Sequence, residues 1–282
     1  MNAPTLSLTT DYAAVSTGSP EPYLQQIGAA GFSHTHWCHQ WNTDFLYSRA
    51  EIAQIGKWLK QYGVQLLDLH ASAGVEKGWA AAREYERRAG VELVKNRIEM
   101  TARLGADVII MHIPMKFSSE EETRLRRAQL RKSLDSLQPY ARRHAVRIAI
   151  ENGLPDSFPA QMELFAAYPP DYLGLCYDSG HGNIGGDGLA KLDAVKDRLI
   201  SVHLHDNDGT QDQHRLPFDG TVDWPRLTRI LAASSYRKCV SLESNTGRYE
   251  NKDEALFLPK AFQAAKRLSE MVAEERGRHR GA

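Results

Sequence analysis

Cysteine is scarce in this sequence: 282 residues contain three, Cys38, Cys176 and Cys239. The number is odd and no C-x-x-C pair exists, which argues against a disulfide framework or a zinc knuckle. Reduced thiols in a cytoplasmic protein are the expectation. Long apolar runs are also missing, and none approaches the roughly 18 residues of a membrane span. The opening MNAPTLSLTTDY has neither the basic nor the apolar region of a signal peptide. Excess charge of one sign is absent: 35 Lys+Arg stand against 35 Asp+Glu. Proteins that grip phosphate backbones usually carry a basic surplus, so nucleic acid is not an expected partner. The one basic cluster, ERGRHRG, reads as a disordered tail over 276–282. There is no G-x-S-x-G and no P-loop, and the turn after the first strand candidate, TTDYAAVSTG, lacks G-x-G-x-x-G.

What is present is an alternation of two textures. Short apolar runs at 5–9, 32–37, 64–70, 107–112, 147–151, 173–178, 199–205 and 239–243 read as buried strands. Amphipathic stretches near 20–30, 49–62, 84–105, 119–144, 157–167, 188–196, 223–234 and 252–275 read as helices. Strict βα alternation with continuous apolar strands implies a parallel sheet covered by helices. Eight such units, without a long linker, predict an α/β fold: a single (β/α)8 TIM barrel over residues 1–275.

The ends of these strands carry the chemistry. The third to the eighth run close on His70, His112, Glu151, Asp178, His203 and Glu243. In a parallel barrel all six lie on the C-terminal rim, where enzymes of this fold build their sites. Nine of eleven histidines fall in or just after a strand candidate, including His34, His36, His39, His181, His205 and His214. One His or Glu at a strand end is more often a hydrogen-bonded structural group than a ligand. Six together are harder to explain that way, because clustered carboxylates repel unless a cation or protons compensate. His and carboxylate without clustered Cys suit Mn²⁺, Zn²⁺, Mg²⁺ or Co²⁺, with Mn²⁺ and Zn²⁺ foremost. The tryptophans, among them Trp37, Trp41 and Trp224, either stack on a sugar or fill gaps. The cysteines read as inert core.

The strand-end pattern AIEN, YDSGH, HLHD and SLES resembles the xylose isomerase-like superfamily of TIM barrels. That group includes the sugar phosphate isomerase/epimerase family and the endonuclease IV type of nuclease. The resemblance is strongest from Val64 to Asn245. It implies a metal held by Glu151, Asp178, His203 or His205, and Glu243. The H-x-x-D form, His203 with Asp206, favours His203; the H-x-H form favours His205; His203 is preferred. His181 matches a position that touches substrate in epimerases and metal in the nuclease. His70, His112, Asp212 and His214 match further nuclease ligands, which implies additional metal or substrate contacts. Two departures count against particular members. Ser179-Gly180 replaces a nuclease Thr-Cys, and no Arg stands six residues after His203 or His205, as in ketose 3-epimerases.

The resemblance implies a metal-dependent isomerase or epimerase of a sugar, sugar phosphate or related keto-polyol, working through an enediolate with Glu151 and Glu243 exchanging protons. The alternatives are an endonuclease IV-like metal-cluster phosphodiester hydrolase, a lyase on the same scaffold, or a barrel that binds carbohydrate without turnover. A small-molecule carbohydrate is the expected partner, and a homo-oligomer is compatible with the sequence.

Overall fold

The structure is a computed structural model that describes residues 4–13, 18–113, 119–153 and 157–281. Eight parallel strands form the order β7-β6-β5-β4-β3-β2-β1-β8. They are β1 (Leu6–Thr9), β2 (His34–Trp37), β3 (Gln65–His70), β4 (Val108–Met111), β5 (Arg147–Glu151), β6 (Leu173–Asp178), β7 (Leu199–His203) and β8 (Val240–Leu242). The circle closes between β7 and β8 through a single bridge, Leu204 with Leu242. Two backbone bonds support it, Leu204 N–H to Ser241 O at 2.9 Å and Glu243 N–H to Leu204 O at 3.1 Å. This is the (β/α)8 barrel that the alternation predicts.

Strand alternation sorts the residues by function. In β5, Ile148 and Ile150 belong to the main core beneath the helices, while Ala149 packs with Val108, Ile110, Cys176 and Ile200 in a separate cluster. Successive side chains point to opposite faces, so Glu151 shares the face of Ala149 and Asp178 that of Cys176; in β7 a register shift against β6 brings both Ile200 and Ser201 inward, and His203 shares the face of Ser201. The small apolar cluster thus forms a floor, and the ligand-type side chains sit one layer above it.

Helices α1 (Glu21–Ala29), α2 (Arg49–Gln61), α3 (Glu84–Arg103), α4 (Glu120–Arg143) and α5 (Ser157–Ala167) follow the first five strands. The start of α2 is fixed by a capping box between Ser48 and Glu51. After β6 the structure departs from the sequence expectation of one helix. A short α6 (Ser179–Ile184) precedes α7 (Gly188–Val195). It begins because the Asp178 carboxylate accepts the His181 N–H at 2.7 Å and caps the turn. Helix α8 (Trp224–Ala233) opens on an Asp223 cap, and α9 (Glu254–Gly281) continues through the basic ERGRHRG stretch as far as Gly281. Among the described residues no helix is long and apolar enough to cross a membrane.

Candidate metal centre

The strand ends converge. One ligand atom each from Glu151, Asp178, His203 and Glu243 lies within 4.8 Å of the others. His203 is fully buried, and neither of its ring nitrogens has a hydrogen-bond partner. Its Nδ1 stands 3.1 Å from Glu243 Oε2 and 3.3 Å from Glu151 Oε1. A buried imidazole facing two carboxylates without hydrogen-bond geometry is costly unless something shares its lone pair. Ligand atoms bound at about 2.1 Å to one ion lie about 3–4 Å apart, so these spacings and this donor set fit a divalent cation. Burial raises the Glu151 and Glu243 carboxyls, but His203 beside them outweighs it and holds both well below the usual range.

Two further groups flank this set. On the β3–β4 side, His112 Nε2 is 2.8 Å from Glu151 Oε2, His70 Nε2 is 3.4 Å from the same oxygen, and the two nitrogens are 3.2 Å apart. Burial pushes the His70 imidazole down to about 4, which leaves it a neutral lone-pair donor at neutral pH. Trp41 lies against His70, with ring centroids 4.2 Å apart and planes tilted by 40°. On the other side, His205 Nε2 is 3.0 Å from Asp178 Oδ2, and His214 Nε2 and His181 Nε2 are 3.1 and 3.3 Å from Asp212 Oδ2. The second ring nitrogens of His214 and His181 donate to the carbonyls of Glu243 and Asn152 at 2.7 and 2.9 Å. Such anchoring orients each ring and aims its Nε2 at Asp212.

His203 and His205 both face the interior, as period-two alternation requires, but they serve different groups. His203 joins Glu151 and Glu243; His205 joins Asp178 and stacks on His214, with centroids 4.1 Å apart and planes 13° apart. His214 reaches this place because Asp206 and Arg215 pair antiparallel and fold the loop back over β7. It adopts a left-handed backbone, φ 47°, to do so. Asp206, the acid of H-x-x-D, serves the loop. It is buried and accepts from the backbone N–H groups of Asn207, Phe218 and Val222 and from the Trp224 indole. Gly180 makes room for His205: a Cβ there would lie 2.0 Å from His205 Cε1.

Other residues were less legible. Asp68, in the middle of β3, is fully buried, with Oδ1 2.7 Å from His36 Nδ1 and Oδ2 2.5 Å from Ser201 Oγ. A carboxylate two residues before His70 shares its face, and that spacing was the available signal. Cys38 corrects the reading of the cysteines as inert core. It lies one residue beyond β2, with Sγ 3.1 Å from His36 Nε2 and 3.6 Å from Glu243 Oε1. Cys176 packs in the apolar floor, with its Sγ within 4.8 Å of ligand atoms of Glu151 and His203 above it. Of the early histidines, His36 joins the site. His34 instead contacts Ser33 at the start of β2, and His39 packs against Trp37. A polar cleft of about 380 Å³ opens above Cys38 and Trp41, walled by Asp11, Gln40, Asn42 and Asn245.

The family described as xylose isomerase-like TIM barrel matches residues 22–267. An uncharacterized protein, y4fM of Sinorhizobium fredii, is 34% identical over 281 residues, covering 90% of each chain. Among solved structures, a D-tagatose 3-epimerase-like protein superposes with a TM-score of 0.76 at 19% identity, covering 96% of this chain and 99% of the other. The 3-keto-D-glucoside 4-epimerase of E. coli does so with 0.73 at 18%, covering 94% and 99%. At such identities the likeness is one of fold.

Proposed function

Since the chain belongs to the xylose isomerase-like TIM-barrel family, we propose that it is a divalent-metal-dependent epimerase or isomerase of a carbohydrate or related keto-polyol. One observation carries this reading: Glu151 and Glu243 approach His203 from strands β5 and β8, each within about 3.3 Å. Glu151, Asp178, His203 and Glu243 would hold the ion. When bound, the ion polarises a carbonyl and stabilises the charge left when the neighbouring carbon loses its proton. Glu151 and Glu243 come from different sides of the mouth: the one that is a carboxylate can remove that proton, and the other, when it carries a proton, can deliver it to the opposite face, after which the two have exchanged states. The Gln161 amide donates to the Glu151 carbonyl at 2.9 Å and steadies the end of its strand. Sugars are the substrates named for the two structural relatives, which supports a carbohydrate here.

The test is solvent exchange. The Mn²⁺-loaded chain, incubated in D₂O with a panel of ketoses and keto-glycosides, is expected to place deuterium on a carbon next to the carbonyl. Glu151→Gln is expected to slow this by about 10²–10⁴-fold, the usual worth of a positioned base. Absence of exchange across the panel, with the ion bound, overturns the reading.

A second reading is favoured by the two flanking groups, for which a one-ion site has no need. Metal-cluster hydrolysis of a phosphodiester would use His70, His112, Asp212 and His214 as further ligands. About three zinc ions per chain together with abasic-site cleavage would establish it.

A further inference from the structure

We propose a second, thiolate-containing metal position on the β2 side of the site, formed by His36 Nε2, Cys38 Sγ and Glu243 Oε1 and suited to Zn²⁺. The three atoms form a triangle with sides of 3.1 Å (Sγ to Nε2), 3.6 Å (Sγ to Oε1) and 3.8 Å (Nε2 to Oε1). Zinc bonds of about 2.0–2.3 Å in a tetrahedron give edges of about 3.3–3.6 Å. His36 and Cys38 are two residues apart at the end of β2 and so share the inward face. The Cys38 N–H donates to Thr10 Oγ1 at 2.9 Å, which fixes the thiol's attachment.

Two observations point beyond a plain hydrogen bond between thiol and imidazole. His36 is fully buried, and its Nδ1–H is anchored on the Asp68 carboxylate, itself held by Ser201. A histidine whose distal N–H is pinned to a buried carboxylate has the supporting arrangement typical of a metal ligand. Glu243 also divides its oxygens: Oε2 faces His203, and Oε1 faces His36 and Cys38. A carboxylate presented to two donor sets is placed to bridge two ions. His203 lies against His36, with ring centroids 4.3 Å apart, and both can join Glu243 around one point. Three protein ligands leave a fourth position open, as in catalytic rather than structural zinc sites. Here it would face the polar cleft that Cys38 itself lines. Binding replaces the thiol proton by the metal, so one proton is released for each ion bound.

The test uses the full chain, stripped with chelator and titrated with Co²⁺. A near-ultraviolet thiolate-to-cobalt charge-transfer band is expected to saturate with one equivalent. It should vanish in Cys38→Ala and Cys38→Ser and persist in Cys176→Ser, whose thiol lies in the apolar floor. The visible cobalt absorption of the oxygen- and nitrogen-ligated ion should remain in all three. Asp68→Asn should weaken the band's half-saturation about 10–100-fold, as for other residues that orient a ligand histidine. X-ray absorption of the zinc-loaded wild type, which needs no variant, should show sulfur at about 2.3 Å. Visible cobalt absorption without the band, a band that follows Cys176, or a zinc shell without sulfur overturns the proposal. Absence of any cobalt absorption overturns the metal-dependent function as well.

Discussion

Replacing Asp206 by Asn tests how the loop between β7 and α8 is held. The carboxylate receives four donors. Asn207 and Val222 N–H bond to Oδ1 at 2.9 and 3.1 Å; Phe218 N–H and the Trp224 indole bond to Oδ2 at 3.0 and 2.8 Å. An asparagine keeps one accepting oxygen and turns an NH₂ toward the other pair, whichever way the amide is flipped. Two buried donors then lose their acceptor, at about 1–3 kcal/mol each. Some relaxation of the loop favours the lower half of that sum, so the expected loss is about 2–4 kcal/mol. That corresponds to a rise of roughly 30- to 1000-fold in the unfolded fraction. Equilibrium urea denaturation of the metal-free chain measures it, with Trp224 as a fluorophore at the altered site. On the metal-cluster reading the same variant should also bind fewer ions, because the loop delivers Asp212 and His214, although Asp206 accepts its bonds from none of the ligand-type side chains. A stability change below about 0.5 kcal/mol, the range of an ordinary surface substitution, would refute the reasoning.

Gly180→Ala should displace the His205 ring, since the new methyl would meet Cε1 at 2.0 Å. The overpacking should destabilise the metal-free chain by about 1–3 kcal/mol; a change below about 0.5 kcal/mol in urea denaturation would count against the close approach. A pH dependence follows from Asp212. Burial lowers His181 and His214, but Asp178 and Asp212 beside the first, and Asp212 and Glu243 beside the second, raise them to about 11 and about 10. Groups with raised folded pKa stabilise fully below their unfolded value of about 6.5 and lose this as pH rises through the folded values. In the metal-free chain, the destabilisation caused by Asp212→Asn should therefore be largest near pH 5–6 and shrink toward pH 10. Urea titrations at several pH values would read it, and a difference independent of pH would disprove the coupling.

The barrel was legible because its signal is repeated. Eight apolar runs separated by amphipathic stretches leave few other architectures, and the strand ends followed from the same periodicity. Glu151, Asp178 and His203 are the last residues of their strands, and Glu243 lies one beyond. Two kinds of feature were hidden. The first depends on strand register: Asp68 and His36 look unrelated in sequence, and only the pairing of His36 with Asp68 across β2 and β3 brings them together. The second depends on the path of the chain beyond a strand. Cys38 reads as core because cysteine is usually buried and apolar in habit, yet one step past β2 its thiol faces the mouth. Likewise, DNDGTQDQH reads as a loop that returns Asp212 and His214 over the rim, but it does not show the antiparallel pairing that stacks His214 on His205, which is set by Asp206 and a left-handed backbone at His214.

The join between β7 and β8 has a mechanical meaning. The other neighbouring strands are joined by ladders of two to four residue pairs, two of them with a register shift, whereas here a single bridge at Leu204 and Leu242 joins the wall. His203 and Glu243 stand on opposite lips of that join. Their separation is therefore the dimension of the mouth with the least sheet pairing across it, one bridge and two backbone hydrogen bonds. A cation held across this lightly paired join, as proposed above, should meet a weaker size restriction than one held within a ladder, so binding is expected over a range of radii. Selection among them then falls to the chemistry of the donors rather than to a fixed hole.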